Sequence, residues 1–354
     1  RPRWRTSVAT SSRSMVAVTV VSSRRSKTGQ RTARENIEDL CDPDSFVEYG
    51  ALGVAAQRRR RTMDDLIKNT PADGMITGHA TINADLFGVE RAHCAVLAYD
   101  FTVLAGTQGH LNHRKKDRMF QLSRELRLPL VLFAEGGGGR PGDTDGDFSS
   151  RTFYDFPKLS GLVPLIGIVS GRCFAGNASL LGCCDVVIAT NNSNIGMGGP
   201  AMIEGGGLGV FRPDEVGPMS VQVPNGVVDI PVADEAEAVY AAKRYLSYFQ
   251  GPVAQWECAD QRILRGIIPE NRLRIYNVRS VIETLADTDS VLELRPSAPL
   301  VDAVCRTSVS PSIRPTYSWV PASAIPERMI FARWFEMIVG AESRPYTALI
   351  WAMS

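Results

Sequence analysis

Two short apolar segments that each run straight into a glycine loop constrain this chain more than anything else in it. Pro129-Leu-Val-Leu-Phe-Ala134 leads into Glu135-Gly-Gly-Gly-Gly-Arg140. Val163-Pro-Leu-Ile-Gly-Ile-Val169 leads into Ser170-Gly-Arg-Cys-Phe-Ala-Gly-Asn-Ala178. Each reads as a strand that ends in glycines just before polar or helix-forming residues. Glycine lets the backbone adopt positive φ and approach a ligand closely. Amides freed at a turn or helix start can then face developing negative charge. One reading is a pair of tight β–α turns. The other is an oxyanion site between two sets of backbone N–H groups. Four glycines in a row exceed what a turn needs and tilt the reading toward a site.

The strand, glycine loop, helix and strand pattern repeats and implies an α/β layer fold. A length of 354 residues suits either one α/β domain or two. The formal net charge of +1 gives no whole-chain reason to expect a nucleic-acid or membrane partner. Arg1 to Arg34 is rich in Arg and Ser, and its one apolar run, Met15 to Val21, is too short to span a bilayer. No signal-peptide cleavage pattern follows it. The sequence begins with Arg, so a fragment or processed product is expected. The seven cysteines include no CxxC pair, which predicts buried free thiols in a reducing cytoplasmic setting.

Residues 1–28 bury little and carry many like charges, and are expected to be a disordered basic leader. Thr32-Ala-Arg-Glu35 is a capping box that predicts a helix start. Ser45 to Tyr49 reads as extended, and Arg58 to Arg61 as a solvated loop or, as the minority reading, a phosphate contact. Antiparallel strands are expected from Gly74 to Phe101, the last one buried, and a helix from His110 through Leu126. His110 and His113 could share a helical face, but no third ligand accompanies them, and no metal site is expected. Ala178 to Cys184 reads as an apolar helix, Asp185 to Ala189 as a buried strand, and Ala233 to Phe249 as an amphipathic helix. From Arg295 onward prolines break every pattern except one helix, Glu327 to Val339.

In their order these pieces resemble a known family. Ser170-Gly-Arg-Cys-Phe-Ala-Gly-Asn-Ala-Ser-Leu-Leu-Gly-Cys-Cys-Asp185 resembles the crotonase superfamily. Thr32-Ala-Arg-Glu35, Tyr99-Asp-Phe-Thr-Val103, Gly137-Gly138 with Arg140, Gly199-Pro200, Asn225-Gly-Val-Val-Asp229 and Pro269-Glu-Asn-Arg272 narrow it. They are similar to the carboxyltransferase (beta) subunits of biotin-dependent acyl-CoA carboxylases. The resemblance runs over residues 29–294. It implies a crotonase (ClpP-like) β-β-α superhelix, specifically the N-terminal carboxyltransferase domain that supplies the acyl-CoA side. Residues 295–354 are expected to be a divergent Pro-rich tail with no recognisable C-terminal, biotin-side domain.

The implied reaction moves CO2 from carboxybiotin to the α-carbon of an acyl-CoA, through an enolate held on backbone amides. Biotin is implied as a group presented by a carrier domain, not attached to this chain. The implied partners are biotin carboxylase and biotin carboxyl carrier subunits or domains, in a homo-oligomer. Gly137, Gly138 and Gly176 are implied as the oxyanion donors. Gly106, Gly109, Lys115, Gly136, Gly139, Arg140, Phe174, Ala175, Asn177 and Gly199 are implied around the substrate. Two loops depart from the family's pattern: Asp-Ser-Gly-Gly-Ala-Arg becomes Glu135 to Arg140, and Ala-Gly-Gly-Ala becomes Phe174 to Asn177. Rival readings are another crotonase-type acyl-CoA enzyme and an inactive CoA-binding lobe. A hydratase needs a glutamate in the second loop's helix to activate water, and Ser179 stands there.

Overall fold

A computed structural model of the chain describes Arg25, residues 29–143, Asp145, and residues 150–271, 273–297 and 302–304. The expected leader, Arg25 excepted, and the expected helix at Glu327 to Val339 lie outside the described residues. The chain divides into two compact units between Glu257 and Cys258.

The first unit opens with α1 (Ala33–Leu40). Thr32 Oγ1 accepts from the Glu35 amide while the Glu35 carboxylate accepts from the Thr32 N–H, the reciprocal cap that the sequence encodes. Next come β1 (Val47–Tyr49), α2 (Met63–Asn69), β2 (Met75–Thr81) and β3 (His93–Tyr99). These three strands pair antiparallel. Then follow α3 (His110–Leu126), β4 (Leu130–Phe133), β5 (Leu165–Val169), β6 (Arg172–Phe174) and α4 (Gly176–Leu181). β7 (Val186–Thr190), β8 (Asn194–Gly196), β9 (Ile230–Val232) and α5 (Glu235–Ser247) complete the unit. The main sheet runs β1-β2-β3-β4-β5-β7-β9, parallel from β3 onward, and β6 and β8 form a separate parallel pair.

Both faces of the sheet are covered. Leu97, Leu132, Leu165 and Val187 pack with Met119 and Phe120 of α3 in one cluster. On α5, which packs on β5, β7 and β9, Ala238, Val239 and Ala242 are buried. Parallel strands covered on both faces need apolar residues at every position. That is why Leu130 to Phe133 shows no alternation. The register pairs Val131 with Ile166 and Phe133 with Ile168. Parallel neighbours in this register end side by side, so both glycine loops leave the same edge of the sheet.

In the second unit α6 (Val278–Leu285) precedes β10 (Leu292–Leu294), which pairs antiparallel with β11 (Asp302–Val304). The division at Glu257 falls within the expected span 29–294, and β11 falls within the expected tail 295–354. Pro296 lies beyond the end of β10, where proline does no harm, and β11 itself has none. No helix among the described residues is long and apolar enough to cross a membrane.

Candidate active site

Three loops meet where β4 and β5 end. The Gly136 N–H donates to Arg172 O at 2.7 Å, and Phe174 N–H donates back to Gly136 O at 2.9 Å. Gln108 N–H donates to Gly138 O at 2.7 Å, and Arg140 N–H to Gln108 O at 3.0 Å. The crossing is too tight for side chains. At Gly136 (φ 149°) a Cβ would lie 2.1 Å from Gly106 O. At Gly138 (φ 89°) it would lie 2.7 Å from the Ala175 Cβ and 3.6 Å from Gly176 N. Both positions therefore require glycine, and Gly138 and Gly176 stand together.

The amides are arranged differently from the sequence-based expectation. Gly137 N–H donates to Ala105 O at 3.1 Å, and Gly138 N–H to Asn177 Oδ1 at 3.1 Å. Both are engaged inside the protein. Two neighbouring amides are not. Because Gln108 holds the Gly138 carbonyl, the planar trans peptide turns the Gly139 N–H the opposite way. Likewise Ala175 O accepts from the Ser179 N–H at 2.9 Å and Oγ at 3.2 Å, so the Gly176 N–H points off the start of α4. Neither the Gly139 nor the Gly176 amide has an acceptor among the described residues. Two such donors can hold an oxygen that is becoming negative.

Beneath the loops lies a polar layer. Asn177 is wholly buried, and its Nδ2 donates to Gly106 O and Glu135 O, each at 3.2 Å. Its Oδ1 also accepts from Gln108 Nε2 at 3.0 Å, and Gln108 Oε1 accepts from Lys116 Nζ at 2.8 Å. Burial holds the Lys116 amine well below the usual lysine range. Glu135 is gripped by Arg25 through two hydrogen bonds of 2.8 and 2.5 Å. Burial raises its carboxyl to about 7, against the lowering effect of Arg25. Arg25 thus departs from the disordered leader in which its sequence context placed it.

The remaining expected residues divide into groups. Gly106, Gly136, Ala175 and Asn177 line the crossing itself. Phe174 is buried, with Gly199 against its ring (3.6 Å from a Cβ placed there), so it packs the wall. Gly109 abuts the Arg140 guanidinium, which is buried and ion-paired to Asp73, bracing the loop from below. Lys115 lies away from the crossing: its ammonium donates to the carbonyls of Ala72 and Met75, and burial lowers it to about 8. Its neighbour Lys116, together with Gln108 and Tyr99, was missed. Asn112, Lys116, Met119, Phe120 and Ser123 share one buried face of α3, and that spacing tells which of the two buried lysines faces the crossing.

Comparison with known proteins points to one family. The carboxyl transferase domain family model matches residues 24–298. The methylmalonyl-CoA carboxyltransferase 12S subunit of Propionibacterium freudenreichii subsp. shermanii is 29% identical over 281 residues, covering 75% of this chain and 51% of that protein. A solved single-chain, multi-domain long-chain acyl-CoA carboxylase is 55% identical with a TM-score of 0.78, over 85% of this chain and 31% of that one. The transcarboxylase 12S structure with methylmalonyl-CoA and methylmalonic acid bound gives a TM-score of 0.69 at 26% identity, over 86% of this chain and 61% of that one. The chain spans about half the length of the curated relatives it matches. Since the family match takes in the main sheet and all three crossing loops, the chain belongs to the carboxyl transferase domain family.

Proposed function

We propose that this chain forms the acyl-CoA half of a carboxyltransferase in a biotin-dependent acyl-CoA carboxylase. The observation that carries the reading is the adjacent pair of unengaged amides, Gly139 and Gly176, in loops where no acid or base stands ready among the described residues. The Ser179 hydroxyl donates to Ala175 O, and the Glu135 carboxylate lies buried under Arg25. That argues against hydratase chemistry, which needs a side chain to move protons to and from water.

The thioester oxygen gains negative charge as the α-carbon loses its proton, and the two amides receive that charge. The α-carbon then forms a C–C bond to CO2. Carboxybiotin delivered on a carrier would supply the CO2 by breaking its N–CO2 bond, and the ureido nitrogen so released would take up the α-proton. Gly137 and Gly139 are exposed, and a Cβ placed on Gly139 meets nothing within 4 Å. That open backbone edge suits the approach of a flat ureido ring. Each donor contributes roughly 2.7–4 kcal/mol of barrier lowering.

Likeness to the single-chain enzyme supports a long-chain acyl-CoA as substrate. It also supports biotin carboxylase and carrier domains on the same polypeptide. A homo-oligomer follows the hexamer named for transcarboxylase 12S. Cytoplasmic placement fits the free thiols among the described residues, of which Cys41, Cys94 and Cys173 are buried.

The test is a matched pair of variants in the full-length protein, assayed for carboxybiotin-dependent carboxylation of palmitoyl-CoA and propionyl-CoA. Gly139→Ala keeps the amide and meets open space, so kcat stays within about 3-fold; Gly139→Pro deletes the N–H and lowers kcat by about 100-fold. Equal activity of the two variants would remove Gly139 from the mechanism. Preference for propionyl-CoA would remove the long-chain assignment.

A further inference from the structure

Lys116 is fully buried and makes no ion pair among the described residues. Its hydrogen bonds go to Tyr99 Oη at 2.7 Å and Gln108 Oε1 at 2.8 Å. Charged or neutral, the Lys116 amine has N–H groups enough to donate to both oxygens. Gln108 thus turns its oxygen to Lys116 and its nitrogen to Asn177 Oδ1, 3.0 Å away. Asn177 is then set with Oδ1 toward the Gly138 N–H and Nδ2 toward two carbonyls. The far end demands the same orientation, because a main-chain N–H and two main-chain carbonyls fix it independently. Turning over either amide would set donor against donor or acceptor against acceptor in a site without water access, which is costly.

The series ends on the residue that matters most. Asn177 holds the N–H of Gly138, and the backbone N–H of Gln108 holds its C=O. Both peptide planes of Gly138 are thereby fixed, and the second plane carries the Gly139 N–H. Asn177 itself follows Gly176, so the same side chain anchors the second donor.

We propose that Lys116, Gln108 and Asn177 act in series as positioning residues that aim the Gly139 and Gly176 amides. This rests on the enolate-holding role proposed above. None of the three touches substrate; each acts through the next.

The discriminating change is Gln108→Glu. It is isosteric and gives Lys116 a carboxylate partner, but removes the N–H that Asn177 receives. A network that only supports the fold would lose stability through the new acceptor-on-acceptor contact at Asn177 Oδ1 yet leave turnover and exchange at Gly138 unchanged, whereas one that aims the loops is broken at its middle link. In the full-length protein the thermal midpoint should fall by no more than a few degrees, because the new carboxylate–Lys116 pair offsets that contact. The kcat should fall at least ~10-fold with the acyl-CoA KM within ~3-fold. Amide hydrogen exchange at Gly138 should speed up at least ~10-fold. Unchanged kcat or unchanged exchange at Gly138 overturns the proposal. Should Gln108→Glu not fold, Asn177→Ala carries the same exchange measurement, with the same result required. A parent protein that transfers no carboxyl group would defeat the proposed function alone, because exchange at Gly138 still decides the positioning role.

Discussion

Replacing Arg25 by Met should expose how strongly the glycine loop depends on a residue far upstream. The guanidinium makes two hydrogen bonds to Glu135, and both side chains are only 9% exposed. Burial already lifts the Glu135 carboxyl to about 7, above its ordinary 4.5. Between those two values the native state keeps a proton that the unfolded chain has released. Parent stability therefore falls as pH rises from 4.5 toward 7 and levels off above it. Without Arg25 the carboxyl loses the groups that lower it and stays protonated to higher pH. The loss of stability then continues past 7 in the variant and stops in the parent.

The expected difference follows from these two effects. Near pH 6 both proteins hold a neutral carboxyl, and the variant lacks two hydrogen bonds, about 2 kcal/mol in all. Above pH 7 the gap widens by about 1.4 kcal/mol per pH unit. By pH 9 it reaches about 4–5 kcal/mol, the range typical of a broken buried ion pair. Urea unfolding of both proteins at pH 6 and pH 9, extrapolated to water, measures it. The double variant Arg25→Met with Glu135→Gln should lose the widening. A gap that is equal at the two pH values, or smaller at pH 9, would refute the reasoning.

Three further predictions concern the loops. Gly138→Val places a branched Cβ at φ 89° against the Ala175 methyl, so kcat in the full-length protein should fall by about 100-fold with little change in acyl-CoA affinity. Ser179→Ala should stay within about twofold, since its hydroxyl serves only Ala175 O; the reverse pattern would assign acid–base chemistry instead. Ala175→Gly should raise the thermal midpoint by about 2–4 °C, because Ala175 sits at φ 51°, ψ −123°, and relief of such strain is worth about 1 kcal/mol. A scanning calorimeter checks it, and a lower midpoint would mean that the methyl's packing outweighs the strain.

The sheet was legible because its signals are local. Apolar runs, a capping box and glycine punctuation each report on a few consecutive residues, and α3 came out at its observed limits, His110–Leu126. The edge where the site forms was legible for the same reason, as two strands ending in glycine. Donor assignment was not. Whether an amide is free depends on which carbonyl its neighbour in another loop presents. Gly137 and Gly138 are engaged by Ala105 and Asn177, residues 32 or more positions away in the chain. Nor could composition separate Arg25 from the arginines around it, since a single carboxylate at position 135 decides its burial. Lys115 and Lys116 are chemically identical in sequence, and only the face of α3 that meets the sheet tells them apart.

Two of the three departures in the second glycine loop, Ala175 and Asn177, act in one direction. Where glycine was expected, Ala175 puts a methyl behind the first loop, 2.7 Å from where any Cβ on Gly138 would go. Where alanine was expected, Asn177 ties Gly106, Gln108, Glu135 and Gly138 together with four hydrogen bonds. A strained backbone persists only where its surroundings over-determine it. Here Ala175 N–H is held by Gly196 O at 3.0 Å and its carbonyl by Ser179. Asn177 closes the other side. The loop has thus traded two small, adaptable residues for a wall and a tie. A donor aimed in this way need not reorganise as charge develops on the substrate, which is the condition under which a backbone amide contributes most to catalysis.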